Sequence, residues 1–101
     1  MEKRIILTIS FVKYLNKLKK HFSQNDIINS IKNFYRVGLR KGETKLHTSV
    51  FDNVIIDIYK LRIRTRNSTG RYLLGIIDDK LYIPIFIDLK TGQTRIPTHV
   101  F

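Results

Sequence analysis

The spacing of the apolar residues changes about halfway along the chain, and this change constrains the fold class more than any other feature. Up to Gly38 the large apolar side chains recur every three or four residues, which is typical of helices that bury one face. After Val54 the period changes to two, and over residues 59–64 apolar side chains alternate with cations, which is typical of a strand covered on one side only. A helical part followed by a strand-rich part predicts an α+β fold.

Two helices are predicted in the first part, after a short strand over residues 5–9. The hydroxyl of Ser10 can cap the first helix. Ser23 can cap the second, Asp26 suits its positive N-terminal end, and Gly38 is placed to end it. The apolar stripes of the two helices are Phe11, Leu15, Leu18 and Phe22, then Ile27, Ile28, Ile31, Phe34 and Tyr35.

The second part of the chain is predicted to form three strands joined by turns. Residues 39–50 are polar, charged and interrupted by Gly42, so we expect a connecting loop there. Pro84 lies inside the last strand and predicts that this strand is bulged or lies at an edge. The predicted strands cover residues 54–65, 71–77 and 81–89, with turns at 67–70 and 78–80.

These elements predict one α+β domain of two layers over residues 1–101. An N-terminal strand and a helical hairpin would pack on a mainly antiparallel sheet of four strands. The side chains that alternate with the apolar ones would then cover the opposite face of that sheet.

Charge is the strongest compositional signal. The chain has 19 Lys and Arg against 8 Asp and Glu, a formal charge of +11, and a pI near 10.2. This surplus attracts polyanions, so nucleic acid is the first partner to consider, followed by an acidic protein and an anionic membrane surface. The alternative is a basic protein whose charges are only solvated.

Composition also excludes several classes of protein. The chain has no cysteine, so disulfides, thiolate metal sites and a cysteine nucleophile are excluded. It has no long apolar run and no secretory signal pattern at its start, and we expect a cytoplasmic protein without a membrane association. No phosphate-binding loop, dinucleotide turn, nucleophile elbow or metal-ligand spacing is present, so neither a cofactor nor a metal is predicted.

Cations on the predicted strands form the candidate site. Lys60, Arg62 and Arg64 alternate along one strand and so share one face, while Arg71 begins the next strand across a short turn. We expect these four residues to converge on a patch the size of one phosphate, because they lie on adjacent antiparallel strands. Arginine suits such a patch, since its planar guanidinium can hold two phosphate oxygens at once. The alternative interpretation is the solvated face of an ordinary sheet.

Residues that could act as an acid or a base beside these cations are harder to identify. We expect His21 to be a surface residue of the first helix and leave the role of His47 open. His99, near the C-terminus, could reach the sheet and act as acid or base. Lys60 is an alternative base if the neighbouring arginines favour its neutral form. Packing is the predicted role of two strand tyrosines, Tyr72 and Tyr82.

Three segments resemble the RelE/ParE toxin superfamily of toxin–antitoxin modules. They are the opening strand and the helix SFVKYLNKLKK, the strand IYKLRI over residues 58–63, and RYLLGIIDDKL over residues 71–81. Lys90 falls where many members carry a basic residue. The order Gly70-Arg71-Tyr72 differs from the usual Gly-Tyr-Arg, and the shift turns this tyrosine to the other strand face.

The resemblance implies a RelE/ParE-like toxin domain and three possible activities. The first is a ribosome-dependent mRNA endoribonuclease that needs no metal, with mRNA, the ribosome and an acidic antitoxin as partners. The others are a ParE-like inhibitor of DNA gyrase and a non-catalytic basic protein that binds nucleic acid. For the first activity, the predicted catalytic residues are Arg71, Arg62, Lys60 and His99, and the predicted phosphate-binding residues are Arg64 and Lys90.

Overall fold

A computed structural model describes residues 2–90 as two helices and one mixed sheet of five strands. The strands lie in the order β1-β5-β4-β3-β2; β1 runs parallel to β5, and the other neighbours are antiparallel. The predicted two-layer α+β class is consistent with this arrangement, whereas the predicted four-stranded sheet is corrected to five. The elements are β1 (Arg4–Ile5), α1 (Ile9–Asn16), α2 (Gln24–Val37), β2 (Thr44–Phe51), β3 (Val54–Arg64), β4 (Thr69–Ile77) and β5 (Leu81–Lys90).

The first helix starts earlier and ends earlier than its apolar stripe predicts. The cap is Thr8 rather than Ser10, because the Thr8 hydroxyl accepts the Phe11 N–H at 3.1 Å. After Asn16 the chain continues through turns, yet Phe22 remains buried in the core. Across residues 2–90, neither helix has the length and apolar character needed to cross a bilayer.

The second helix matches its prediction. Ser23 and Asp26 form a capping box, in which the Asp26 N–H donates to the Ser23 hydroxyl at 3.1 Å and the Ser23 N–H donates to the Asp26 carboxylate at 2.8 Å. Gly38 ends the helix with φ 75°, a backbone angle that favours glycine. Both ends of α2 are therefore determined by local residues.

Residues 39–50 are not a connecting loop, because β2 occupies most of that segment. This strand pairs with β3 from Phe51 opposite Val54 to Thr44 opposite Lys60. Asp52 and Asn53 turn the chain with φ 54° and 67°, the positive angles that a two-residue hairpin requires. The apolar pattern does not indicate β2, because this strand is exposed almost throughout and so has no alternation of apolar and polar residues.

The core lies between the helices and one face of the sheet. Alternate residues of β3 and β4 point into it, as the period of two predicts. Each large apolar side chain buried in this way stabilises the fold by about 1.5–3 kcal/mol. The buried apolar residues are Phe11, Leu15, Phe22, Ile27, Ile31, Leu61, Ile63, Tyr72, Leu74, Ile76, Tyr82 and Ile87.

The last hairpin is formed as predicted. Asp78 and Asp79 have φ 50° and 57° and connect β4 to β5. The β4–β5 register shifts where Leu73 faces Phe86 and the next residue faces Pro84, so the strand is bulged there. β1 pairs only with the first residues of β5, which leaves Pro84 beyond the end of β1.

Candidate nucleic-acid interface

Five of the predicted site residues lie on the sheet face opposite the helices. On β3 and β4 the core residues alternate with the cations, so the cations point to the other side. The strand register then places them in three successive rows across β3, β4 and β5. The rows are Lys60 with Leu73 and Phe86, Arg62 with Arg71 and Asp88, and Arg64 with Thr69 and Lys90.

We call the surface made by Lys60, Arg62, Arg64, Arg71 and Lys90 the cationic face. Neighbouring strands lie about 4.8 Å apart and alternate residues about 6.7 Å apart, so the flexible ends of these side chains can meet over one or two phosphates. His99, the remaining predicted catalytic residue, lies outside the described residues. The structure therefore groups five of the six predicted residues.

Arg62 and Arg71 face each other directly across the two strands. Like charges in such a pair repel, which destabilises the sheet unless another group compensates. Asp88, next in the row, lies 3.9 Å from the Arg71 guanidinium. Both side chains of this ion pair are about half exposed, so the pair is weak and a phosphate can displace the carboxylate.

The loop before β2 holds Arg62. The Arg62 guanidinium donates to the Lys41 carbonyl at 3.3 Å and passes over Gly42. A Cβ at Gly42 would lie 2.9 Å from the Arg62 side chain, and Gly42 has φ 85°, so both space and backbone angle favour glycine. Arg62 is thus oriented by a contact that sequence reasoning did not predict.

Glu43 fixes the same loop to β3. Its side chain is 2% exposed and accepts hydrogen bonds from the Arg40 guanidinium, the Arg40 N–H and the Arg62 N–H. Burial raises the pKa of Glu43, but the hydrogen bonds from Arg40 and from the two backbone N–H groups outweigh it. The pKa of Glu43 therefore lies below its usual value. This carboxylate keeps Arg40 and the Arg62 backbone in place.

A cleft of about 550 Å³ opens between α2 and the end of β3. Arg62 and Arg64 reach it at the edge of the sheet, so the cleft is continuous with the cationic face. The α2 wall of the cleft carries amides, a hydroxyl and the Asp26 carboxylate. The other wall carries guanidinium groups, of the kind that contact a sugar–phosphate chain, together with the Glu43 carboxylate. Its lining residues are Asp26, Asn29, Ser30, Asn33, Arg40, Lys41, Glu43, Arg62, Ile63, Arg64 and Thr69.

A smaller hollow of about 180 Å³ lies on the cationic face itself. Leu73 and Phe86 contribute apolar surface, and Lys60 and Arg71 contribute charge. Phe86 is 42% exposed. Its ring centroid lies 5.2 Å from the ring centroid of Tyr14. An exposed ring beside cations has the chemistry that single-stranded nucleic-acid sites use to stack a base.

The described histidines occupy different places from those predicted. His21 is half-buried, and its Nδ1 lies 2.8 Å from the Ser68 hydroxyl, so it joins the first helical part to the β3–β4 turn. His47 lies on β2 opposite Ile58, which is two residues before Lys60 on β3 and on the same side of the sheet. An exposed imidazole therefore lies beside the cationic face.

Both strand tyrosines pack in the core, as predicted. Tyr72 is 1% exposed, and its hydroxyl lies 2.7 Å from the Ser30 hydroxyl on the helix side. Burial raises the pKa of Tyr72 far above its usual value, so it stays protonated and faces away from the cations. Among residues 2–90, no group of three His, Asp or Glu side chains is arranged to hold a metal ion.

Sequence reasoning missed three features of this surface: the Glu43 anchor, the exposure of Phe86 and the placement of His47. The spacing of Arg40 and Glu43 could have suggested an ion pair, but its burial depends on the path of the loop. The exposure of Phe86 follows from the register of β5 beyond its bulge, which the apolar pattern does not record.

Comparison with known proteins adds no relative from which a role could be transferred. No family model matches the chain, and no curated protein and no solved structure matches it. The resemblance to the RelE/ParE superfamily therefore depends on the short segments named above.

Proposed function

We propose that the chain is a RelE-type toxin that cleaves mRNA on the ribosome, using the cationic face to hold the scissile phosphate. The observation that carries this proposal is the placement of five cations in three adjacent rows of one sheet face. A phosphorane in RNA cleavage carries two negative charges, and preorganised guanidinium groups stabilise it. The resemblance to the RelE/ParE superfamily supports the same activity and, with it, a RelE/ParE-like fold.

In the proposed reaction the RNA 2′-oxygen attacks the phosphorus and the 5′-oxygen leaves. A base takes the 2′-hydroxyl proton, an acid supplies a proton to the 5′-oxygen, and the products are a cyclic phosphate and a 5′-hydroxyl. Arg62 and Arg71 hold the phosphate between them, with Arg64 and Lys90 contacting the flanking phosphates. No metal is required, because the cations supply the charge stabilisation.

The proton-transfer step is assigned to a histidine beside this face. His47 is favoured by its register position next to the row of Lys60. His99 and Lys60 remain proposed alternatives. Imidazoles exchange protons readily near neutral pH, so a histidine suits either role.

The proposed partners are mRNA, the ribosome and an acidic antitoxin. The same sheet face that carries the cations continues into apolar residues of β3, β4 and β5, with Ile85 and Phe86 well exposed. A segment both acidic and apolar would complement the two halves of the face together. Coexpression with the neighbouring reading frame should yield a complex, and recovery of free protein alone would contradict this assignment.

The decisive experiment is cleavage of a defined mRNA on programmed ribosomes, followed by primer extension. We expect cuts within the codon in the A site, and we expect Arg62→Ala to remove them. Arg4→Ala is a matched control, because Arg4 is exposed on β1 opposite Leu81, far from the rows of cations. Equal loss in both variants would show that net charge, and not a site, produces the activity.

A non-catalytic nucleic-acid-binding function is the second candidate. The ion pair between Arg71 and Asp88 favours it, because a catalytic arginine is usually free to meet the phosphate. RNA binding without cleavage, with ribosomes present, would support this function. Inhibition of DNA supercoiling by gyrase in the same preparation would instead support a ParE-like activity.

A further inference from the structure

The hairpin formed by β2 and the first half of β3, residues 44–58, exposes apolar side chains on both of its faces. Leu46 and Ile55 are about half exposed, while Val50 and Phe51 are 66% and 71% exposed. β2 is also the last strand of the sheet, so its outer edge has no neighbour among the described strands. Apolar side chains at an open strand edge mark a surface that pairs with another strand.

The hydrogen bonds of Ile55 show which backbone groups of β2 point outward. The Ile55 N–H donates to the Asp78 carboxylate at 2.9 Å, and the Ile55 carbonyl accepts the Asp78 N–H at 2.8 Å. Ile55 therefore directs its polar groups away from β2, and its partner Val50 directs its own away from β3. Because the pattern repeats every second residue, Thr48 also presents its N–H and carbonyl at the edge.

Devices that commonly protect an edge strand are missing from this stretch. Residues 46–51 read LHTSVF and contain neither proline nor lysine. The bulge of β2 lies between Lys45 and His47, before the regular part of the strand. The edge from Thr48 to Val50 is therefore ready to accept a strand.

Charge indicates which strand can approach. Residues 44–58 carry one lysine and two aspartates, a formal charge of −1 in a chain of +11. Lys45 and Asp57 neutralise each other at 3.2 Å, and the Thr48 hydroxyl also donates to Asp57 at 2.6 Å. An acidic partner is attracted to the cationic face and not to this hairpin. A second copy of the chain meets little repulsion here.

We propose that two copies of this chain pair through their β2 edges to form one continuous sheet. The antiparallel register that centres on Ser49 places Thr48 of each copy opposite Val50 of the other. All four outward backbone groups of each copy then find a partner. Phe51 comes opposite His47 of the second copy on the same side of the sheet.

The symmetry of this pairing has a consequence for the cationic faces. The two-fold axis of an antiparallel strand pair stands perpendicular to the sheet, so both cationic faces lie on one side. Ser49 lies at the two-fold axis, and its partner on β3 is Ile56. Lys60 is four residues further along β3, so it lies about 13 Å from the axis in the strand direction. The two cationic faces are thus at least about 26 Å apart along the strands, beyond the screening length of about 8–10 Å.

The test measures molar mass by light scattering and sedimentation between about 1 and 200 µM, a range suited to a small interface. We expect the mass to rise from one chain to two. Val50→Lys should weaken the dimer by more than about tenfold, because a lysine at the strand edge must give up water to pair. Ile9→Lys is the matched control, since Ile9 is 77% exposed on α1 and far from the edge.

Hydrogen exchange tests the edge without any substitution. The amides of Thr48 and Val50 should exchange more slowly as the concentration rises, while the amides of Lys19 and Lys20 should not change. A mass of one chain at every concentration would overturn the proposal. So would equal dissociation by both lysine variants, or exchange of Thr48 and Val50 that does not depend on concentration.

Discussion

The two ends of the sheet carry opposite kinds of surface. Around Arg62 the strands carry cations on one face, while α2 and a loop anchored by Glu43 cover the other face and the edge. Around Val50 the strands carry apolar side chains, and neither face is covered. The supported end suits a site whose charges must stay in place. The uncovered end suits contact with another protein strand.

The largest expected effect is the loss of activity at the supported end. Arg62→Ala and Arg71→Ala should each lower mRNA cleavage by about a thousandfold, the scale of an arginine that stabilises a phosphoryl transition state. The free energy of unfolding should change by less than about 1 kcal/mol, because these charges contribute little to folding. Lys13→Ala and Lys19→Ala on the helical side are the controls. A similar loss in the controls would remove the difference between the two surfaces.

Replacement of the proton-transfer group should have the next largest effect. His47→Gln should slow cleavage by at least about a hundredfold and flatten the pH dependence of the rate near neutrality. If His99 has this role, removal of residues 97–101 should produce the same change, and His47→Gln should be silent. RNA binding, measured by fluorescence anisotropy, should persist in both variants because the cations stay on the sheet. If neither variant changes the rate, Lys60 becomes the base, and the rate should rise with pH beyond neutrality.

Glu43→Gln should lower the stability of the fold more than it lowers the rate of mRNA cleavage. The substitution weakens charged hydrogen bonds to Arg40 and Arg62 and should lower the free energy of unfolding by about 2 kcal/mol. Since the pKa of Glu43 is lower in the folded protein, its carboxylate stabilises the fold above the unfolded value near 4.5. That stabilisation disappears as the pH falls through the folded value. Urea titrations at several pH values measure the free energy of unfolding. The contribution of the Glu43 carboxylate, which disappears in acid, should be present in the parent protein and absent from the variant.

Asp88→Asn should have the smallest effect and the opposite sign. The change frees Arg71 from a half-exposed ion pair of 3.9 Å, and RNA should bind about threefold more tightly at low salt. Asp52→Asn, in the turn of the hairpin, removes an equal charge and serves as the control. If both variants tighten binding equally, the gain comes from net charge and not from Arg71.

The sequence predicts most of the supported end and little of the uncovered one. Capping by Ser23, the turn at Asp78 and the alternation of Lys60, Arg62 and Arg64 are local signals, and each agrees with the structure. β2 left no such signal, because an exposed strand has no core face to impose a period. The Glu43 anchor depends on contacts between residues about twenty positions apart, which a local pattern does not record.

The cations also show which features a local pattern predicts and which depend on contacts between distant residues. The alternation along β3 predicts that Lys60, Arg62 and Arg64 share one face, and the strand register adds Arg71 and Lys90 to it. Whether a given arginine is free, paired with a carboxylate or oriented by a loop depends on neighbours brought together by folding. Arg71 beside Asp88 and Arg62 over Gly42 are the two examples.

The pairing of β1 with β5 also affects when the chain can fold during synthesis. The Arg4 N–H donates to the Lys80 carbonyl at 2.9 Å, and the Lys3 ammonium lies 3.3 Å from the Asp79 carboxylate. The first strand therefore cannot pair until the ribosome has made the start of β5. Contacts of such long sequence separation slow folding, and a nascent chain that stops before β5 also lacks the core residues Tyr82 and Ile87. A partly synthesised chain thus has no complete cationic face, because Lys90 is among the last of the described residues to be made.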